Sequence, residues 1–176
     1  FVMCTHLHSD HVGWNTTLVD GSWVPTFPNA RYLFARQEWE FWRTVDQADF
    51  GPVVEDSVRP VIDAGLADLV EMDHRISDEV WLEPTPGHTP GHVSVRISSR
   101  GEHAVITGDM THHPCQLAHP DWAATFDHDP VMSTRTRKGF YGRWAEEPIL
   151  VIGTHFAAPT AGRVVRAGEA YRLDLE

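Results

Sequence analysis

Nine residues near the start of the chain read Thr5-His6-Leu7-His8-Ser9-Asp10-His11-Val12-Gly13, and they follow the apolar run Phe1–Cys4 directly. If that run is a β-strand, the period of two along a strand places the side chains of His6 and His8 on the same side. Asp10 and His11 then lie on the turn that follows. The stretch therefore predicts four potential metal ligands at the end of one strand.

The donor types in this stretch indicate which metals it suits. Imidazole and carboxylate groups together favour Zn²⁺, Mn²⁺ or Fe²⁺, whereas a Ca²⁺ or Mg²⁺ site would be built almost wholly from oxygen. A mononuclear catalytic zinc needs three protein ligands, and this stretch alone offers four. Three histidines within six positions, interleaved with an aspartate, favour a metal site over a set of solvated surface histidines.

Further donors follow later predicted strands. His88 lies in the Gly- and Pro-rich loop Thr85-Pro86-Gly87-His88-Thr89-Pro90-Gly91-His92, Asp109 follows the run Val105-Ile106-Thr107-Gly108, and His155 follows Ile149–Gly153. A carboxylate or imidazole directly after a buried strand must lie at the rim of a sheet, which favours an active-site ligand over packing. The order of these elements along the chain is more specific than any one of them.

Composition and charge limit the class of protein. The chain has 176 residues, 41% of them hydrophobic, which is enough for one globular core. Its 25 acidic and 14 basic residues give a formal charge of −11, so we expect neither a nucleic-acid partner nor an anionic membrane surface. No apolar run reaches the roughly 18 residues of a membrane span. We expect a cytoplasmic protein in which Cys4 and Cys115 are reduced.

Short β-branched runs and helical periodicity predict the secondary structure. Nine runs are of strand length: Phe1–Thr5, Arg31–Phe34, Leu69–Met72, Val80–Glu83, His92–Ser98, Ala104–Thr107, Ile149–Gly153, Gly162–Arg166 and Ala170–Leu175. Three stretches predict helices: Arg36–Asp46, Val53–Ala64, which Pro60 should kink or end, and Ser133–Glu147. Two long irregular segments remain, Val12–Ala30 and Met110–Pro130, and loops of that length are usually functional. Nothing resembles a linker, so residues 1–176 are predicted to form a single domain.

The ordered pattern His-x-His-x-Asp-His, then Gly-His, then Gly-Asp and a final histidine after a strand resembles that of the metallo-β-lactamase superfamily. The resemblance spans essentially the whole chain, and it implies an α+β fold, the four-layer αββα sandwich, with metal ions at one edge. In the family, strands precede the histidine motif, whereas four or five residues precede it here. We therefore expect a partial domain, completed by a missing N-terminal segment or by another copy in a homodimer.

The resemblance also implies a role for each ligand. It assigns His6, His8 and His88 to one metal ion, assigns Asp10, His11 and His155 to a second, and places Asp109 between them. Two Zn²⁺ ions, or Mn²⁺ or Fe²⁺ in their place, would share a hydroxide that attacks the substrate. Asp10 is also expected to shuttle a proton to the leaving group. The ligands should be oriented by neighbouring side chains, for which the candidates are Ser9, His92, Thr107 and Thr154.

Departures from the family pattern favour one branch over the others. True β-lactamases of the superfamily lack the bridging aspartate, so Asp109 argues against antibiotic hydrolysis. Trp14 stands where glyoxalase II-like members usually carry a second glycine, which argues against a thioesterase of that type without excluding it. The run Phe27–Ala30, the aromatic stretch Glu38–Trp42 and the tail from His155 to Arg172 are most similar to the methyl-parathion-hydrolase-like and lactonase-like branch. These features predict a hydrolase of neutral esters and lactones, with phosphotriesters as weaker substrates.

Aromatic side chains and one further histidine are the candidates for contact with a small-molecule substrate. His112 stands three residues after Asp109, where related lactonases often carry a tyrosine, and it is expected to donate a hydrogen bond to the carbonyl oxygen as negative charge develops there. Aromatic walls suit an uncharged and partly apolar ester or lactone. The predicted substrate-binding residues are Trp14, Phe27, His112, Trp122 and Phe156.

Three alternatives remain open at this point. A glyoxalase II-like thioesterase would turn over thioesters. A mononuclear iron oxidoreductase of the persulfide-dioxygenase type would hold one iron per chain and consume oxygen. A purely structural metal site would be coordinatively closed, whereas a catalytic site keeps an open position. Metal counting and a substrate screen distinguish these classes.

Overall fold

The computed structural model describes residues 1–45 and 51–175, and the chain divides into two compact units, Phe1–Glu71 and Met72–Glu176. We call them the first and the second unit. Asp46, the last residue of the first predicted helix, lies outside the described residues. None of the helices in the described ranges has the length and apolarity that crossing a lipid bilayer requires. The prediction of a single domain stays a prediction.

The first unit contains a small parallel sheet, a hairpin and three short α-helices. Its elements are β1 (Val2–Met3), α1 (Ser9–Val12), β2 (Thr16–Val19), β3 (Ser22–Pro25), β4 (Tyr32–Ala35), α2 (Arg36–Trp42), α3 (Arg59–Asp63) and β5 (Ala67–Val70). The parallel sheet has the order β1-β4-β5. All four residues of the central strand β4 are buried. A continuous apolar run is typical of a parallel strand that is covered on both faces.

The prediction that Val12–Ala30 is irregular was wrong, because β2 and β3 form an antiparallel hairpin there. Asp20 and Gly21 make its two-residue turn with φ values of 48° and 80°. Two positive φ values are what a type I′ turn requires, and Asp-Gly is a strong signal for that turn. The Tyr32 hydroxyl donates to the Asn15 carbonyl at 3.1 Å and accepts from the Phe27 amide at 2.9 Å, so it fixes both flanks of the hairpin to β4.

Helix boundaries in the first unit follow from proline geometry. The predicted helix Val53–Ala64 is a π-helical segment, Val54–Val58, followed by α3. Pro60 lies in the first turn of α3, where the missing N–H has no intrahelical partner to lose. Pro60 therefore belongs to the start of a helix. The expected disruption of the helix is found just before Pro60, where Val58 departs from helical backbone angles with φ = −121° and ψ = −53°.

The second unit contains a six-stranded sheet and one long helix. Its elements are β6 (Val80–Pro84), β7 (Val93–Ser99), β8 (Glu102–Ile106), α4 (Cys115–Ala118), α5 (Pro130–Trp144), β9 (Ile149–Ile152), β10 (Ala161–Ala167) and β11 (Ala170–Asp174). The strand order is β11-β10-β9-β8-β7-β6, and every neighbouring pair is antiparallel except β8 and β9. The nine predicted strands all have counterparts in the two units, although the first of them is only two residues long.

The long helix of the second unit begins and ends three residues before the predicted Ser133–Glu147. Asp129 caps it by accepting the Met132 amide at 2.9 Å, and Pro130 takes the first helical position. Tyr141 and Trp144 pack from this helix into the core beside Val105 and Val151 of the sheet. The helix therefore has a defined start, and the segment that precedes it contributes to the site described below.

Candidate metal centre

The first unit brings together the four ligand candidates of the histidine motif, which we call the motif cluster: His6, His8, Asp10 and His11. Nε2 of His6 lies 3.0 Å from Nδ1 of His8. The His6 and His11 ring centroids are 4.1 Å apart, and Nε2 of His11 lies 3.4 Å from a carboxylate oxygen of Asp10. His6 is fully buried, whereas Asp10 is exposed.

The backbone that carries the motif cluster is not the strand that the periodicity assumed. β1 ends at Met3, so the period of two cannot place His6 and His8, and that step of the sequence argument was wrong. An irregular segment carries the two histidines, and α1 then carries Asp10 and His11. The nitrogens of His6 and His8 are nevertheless close enough to share either a proton or a cation.

The second unit builds an aspartate cluster, which consists of Asp109, His88, His112 and His155. Three imidazole nitrogens approach one oxygen of Asp109: Nε2 of His88 at 3.5 Å, Nε2 of His112 at 3.2 Å and Nε2 of His155 at 3.2 Å. The Asp109 and His88 side chains are buried, while 37% of the His155 side chain is exposed. A buried carboxylate among imidazoles is a donor set that suits a divalent transition metal.

A chain of hydrogen bonds fixes Asp109. The residue follows β8 in a short 3₁₀ turn, Gly108–Met110. Its amide donates to Nε2 of His92 at 2.8 Å, so the Nδ1–H of His92 is the group that donates to the Thr85 hydroxyl, also at 2.8 Å. Ser94 continues the chain by donating to the Thr107 carbonyl at 2.9 Å. His92 thus holds the backbone of Asp109 through a hydrogen bond from the Asp109 amide.

The other side chains expected to orient ligands differ in their surroundings. Thr107 is buried and donates to the Gly108 carbonyl at 2.8 Å, which supports the turn that carries Asp109. Ser9 and Thr154 are exposed.

A close backbone approach positions His88. Gly87 has φ = 135°, and a Cβ on it would lie 2.3 Å from the Ser133 amide nitrogen. Only glycine fits there. The Gly87 carbonyl accepts the Asp129 amide at 2.9 Å, and the His88 carbonyl accepts the His128 amide at 3.0 Å. The loop that carries His88 is thereby attached to the start of α5.

A buried carboxylate holds the ring of His88. The Nδ1–H of His88 donates to Asp127 at 2.9 Å, which leaves Nε2 as the unprotonated nitrogen that a metal requires. Burial opposes ionisation of Asp127. The hydrogen bonds from His88 and Ser133, together with the charge of Arg137, outweigh that effect and lower its pKa. Sequence analysis missed Asp127 and Arg137, because 39 residues separate Asp127 from its partner and no local motif marks the pair.

Aromatic rings line the aspartate cluster. His112 stacks on His155 with centroids 5.6 Å apart, and Phe126 meets the His88 and His112 rings edge to face at 5.7 and 5.1 Å. Phe126 is about half exposed. Trp122 stacks on His119 and is also exposed. Of these two exposed rings, Phe126 is the one that contacts imidazoles of the aspartate cluster.

The remaining substrate candidates have different environments. Trp14 and Phe27 lie in the first unit with ring centroids 5.9 Å apart, and both are exposed. Phe156 is buried, and its ring covers Gly153 so closely that a Cβ there would lie 2.2 Å from it. Its ring therefore serves packing in the second unit.

Comparisons with known proteins identify the family. The model of the metallo-beta-lactamase superfamily matches residues 1–141, which is more than half of the chain. The chain therefore belongs to this superfamily, and the predicted α+β metallo-β-lactamase fold is confirmed. No curated protein matches the chain at a comparable level.

Solved structures agree with this fold. A hydrolase of the beta lactamase superfamily, AbOPH, is similar with a TM-score of 0.85 and 27% identity over 99% of this chain and 63% of its own. AidC, a dizinc quorum-quenching lactonase in complex with a product, has a TM-score of 0.79 and 23% identity over 99% and 63%. A probable metal-dependent hydrolase from Staphylococcus aureus has a TM-score of 0.80 and 22% identity over 99% and 62%. The chain thus spans about three fifths of each of these proteins.

Proposed function

We propose that this protein is a metal-dependent hydrolase that binds two divalent metal ions and cleaves neutral ester or lactone bonds. The observation that carries the proposal is the approach of two imidazole nitrogens, Nε2 of His88 at 3.5 Å and Nε2 of His155 at 3.2 Å, to a single oxygen of the buried Asp109. Membership of the metallo-β-lactamase superfamily supports it. So does the motif cluster, whose donors are of the same chemical type.

The proposed ligand sets follow the family pattern. One ion would be held by His6, His8 and His88, the other by Asp10, His11 and His155, and both by Asp109. Within each unit the donors fit, because the ligand atoms of His6 and His8, of His88 and Asp109, and of His155 and Asp109 lie within 4.8 Å of each other. When bound, divalent ions of this kind polarise a carbonyl group and make water nucleophilic near neutral pH.

The protein's own side chains then have separate tasks. Asp127 keeps the proton of His88 on Nδ1 and thereby directs Nε2 toward the Asp109 carboxylate. His112 is about one-sixth exposed, and its proposed task is to donate a hydrogen bond to the substrate carbonyl oxygen. Asp10 is an exposed carboxylate that can pass a proton to the leaving group.

The exposed aromatic side chains argue for a substrate that is uncharged. Phe126 offers apolar area beside the aspartate cluster, which suits the acyl or aryl part of an ester or lactone, and we propose that the exposed Trp122 contributes as well. One similar structure is a lactonase with a bound product, and another carries the name of a hydrolase. We propose lactones and aryl or alkyl esters as the preferred substrates, and phosphotriesters as weaker ones.

Metal analysis combined with a substrate screen tests this function. The purified protein is expected to hold two zinc, manganese or iron ions per chain and to hydrolyse lactones and aryl esters, while β-lactam turnover is negligible. Treatment with a chelator should abolish activity, and added metal should restore it. One iron per chain with oxygen consumption would instead indicate a persulfide-dioxygenase type of oxidoreductase. Efficient thioester turnover would indicate a glyoxalase II-like enzyme.

A further inference from the structure

A buried carboxylate in the first unit accepts a hydrogen bond from the backbone segment that carries the motif cluster. Glu38, in the first turn of α2, is fully buried. Its Oε1 accepts hydrogen bonds from the Leu7 amide at 3.2 Å and from the indole N–H of Trp42 at 2.7 Å. One oxygen atom therefore ties the backbone of the histidine motif to helix α2.

The Leu7 amide belongs to the peptide group that joins His6 to Leu7. Neither a strand nor a helix supplies a partner for it, since β1 ends at Met3 and α1 begins at Ser9. A buried amide without a partner is unfavourable, so the acceptor oxygen of Glu38 stabilises one orientation of this peptide group. That orientation sets the direction in which the His6 side chain leaves the backbone.

Trp42 connects Glu38 to the second histidine, His8. Its ring meets the His8 ring edge to face, with centroids 5.3 Å apart and an interplanar angle of 73°. Because the Glu38 oxygen holds the indole N–H, the ring against which His8 packs has a fixed position. Glu38 thus acts on His6 through the backbone and on His8 through Trp42.

Filling the volume at this position does not by itself require a carboxylate. Leu7 and Trp42 belong to the hydrophobic core of the first unit, and an apolar side chain of similar volume would avoid the desolvation cost of a buried charge. A carboxylate oxygen provides something that an apolar side chain lacks, which is a directional acceptor for two donors at once.

We propose that Glu38 is a positioning residue that holds the imidazoles of His6 and His8 in their metal-binding arrangement before a metal ion arrives. This inference rests on the proposed function, because it concerns the same metal centre. It assigns to Glu38 no contact with the substrate. Its effect is transmitted through the Leu7 amide and the Trp42 indole.

The proposal is tested by substituting Glu38 and measuring the zinc affinity of the variants. Glu38→Leu removes the acceptor and keeps most of the volume, so zinc affinity measured against a chromophoric chelator should fall about 10- to 100-fold. Glu38→Gln keeps an acceptor oxygen and should stay within about threefold of the parent. The metal-free Glu38→Leu protein should keep a near-UV circular dichroism spectrum close to that of the parent, which shows that it folds, but it should melt at a lower temperature because the Leu7 amide and the Trp42 indole lose their acceptor. Parent-like zinc affinity in Glu38→Leu would overturn the proposal.

Glu40 offers a matched control on the same helix. It is exposed and pairs with Arg43 at 2.8 Å. Glu40→Leu makes the same chemical change away from the motif and should leave zinc affinity unchanged. If Glu38→Leu does not fold, Trp42→Phe decides, because it keeps an aromatic ring and removes one donor to Glu38. We expect a three- to tenfold loss of zinc affinity in Trp42→Phe, and an unchanged affinity would contradict the proposal.

A second readout requires no metal. Nitrogen-15 spectra of the metal-free parent should show distinct Nδ1 and Nε2 signals for His6 and His8, as expected for fixed tautomers, and Glu38→Leu should average them. If the parent bound no zinc, the proposed function would fail while this measurement still decided the role of Glu38. Identical ring signals in the parent and Glu38→Leu would reject the role.

Discussion

The motif cluster and the aspartate cluster differ in how the chain assembles them. The four members of the motif cluster lie between His6 and His11, on one irregular segment and one short helix. The members of the aspartate cluster come from three separate segments of the second unit, and the sheet and the start of α5 hold them in place. The motif cluster can be recognised from one local sequence motif, whereas the aspartate cluster depends on long-range contacts.

The identity of the ligands and the groups that support them therefore depend on different features of the chain. The donors of both clusters lie at recognisable sequence positions. Their supporting groups, Glu38 in the first unit and Asp127 in the second, lie 31 and 39 residues from the groups they hold. Substitutions that remove a donor and substitutions that remove a support should therefore have effects of different size.

Removing the central donor of the aspartate cluster should have the largest effect. Asp109→Ala takes away the carboxylate that three imidazoles approach, so we expect activity to fall by about a thousandfold or more and one metal ion to be lost. Turnover assays and metal analysis of the same sample measure both. Asp78→Ala, at an exposed position in the second unit, is the control and should behave like the parent. Near-normal turnover in Asp109→Ala would exclude a dinuclear mechanism.

Removing the proposed hydrogen-bond donor at the aromatic surface should have the next largest effect. His112→Ala leaves the proposed ligands intact but removes stabilisation of the developing oxyanion, so kcat/KM should fall about 10- to 1000-fold with both metals retained. Steady-state kinetics with one lactone and one aryl ester measure this loss. Unchanged kinetics would mean that His112 only packs against His155 and does not contact the substrate.

Altering the support of His88 should reduce metal affinity more than it changes the fold. Asp127→Asn keeps the shape, but its amide can present N–H groups to Nδ1 of His88 and so favour the tautomer with a proton on Nε2. We expect about a 10- to 100-fold loss of zinc affinity, measured by chelator competition. Parent-like affinity would show that the ring of His88 is held by other contacts.

Substitutions at one glycine in each unit should change stability rather than metal affinity, and by different amounts. Gly87→Ala places a Cβ against the Ser133 backbone and should lower the free energy of unfolding by about 2–4 kcal/mol. Gly21 also has a positive φ, but a Cβ there meets nothing within 4 Å, so Gly21→Ala should cost only about 1 kcal/mol. Chemical denaturation measures both. Equal losses would mean that the loop carrying His88 is not tightly packed against α5.

The family, the nature of the donors and most of the strands could be predicted from local patterns in the sequence. His-x-His-x-Asp-His, Gly-His and Gly-Asp are local patterns, and strand periodicity is also local, so both are visible without a structure. Two further local signals were present: the first was overlooked, and the second was used but with the helix start placed three residues too late. Asp20-Gly21 marks a hairpin turn, and Asp129-Pro130 marks the start of α5.

The groups that support the donors could not be predicted and became visible in the folded protein. Glu38 and Asp127 are ordinary acidic residues in the sequence, and they gain a role because folding buries them beside Leu7 and His88. Phe156 follows a ligand directly, yet its ring packs over Gly153. The physical reason is that a buried polar group must find its hydrogen-bond partner wherever the fold brings one, and that choice depends on contacts between distant segments.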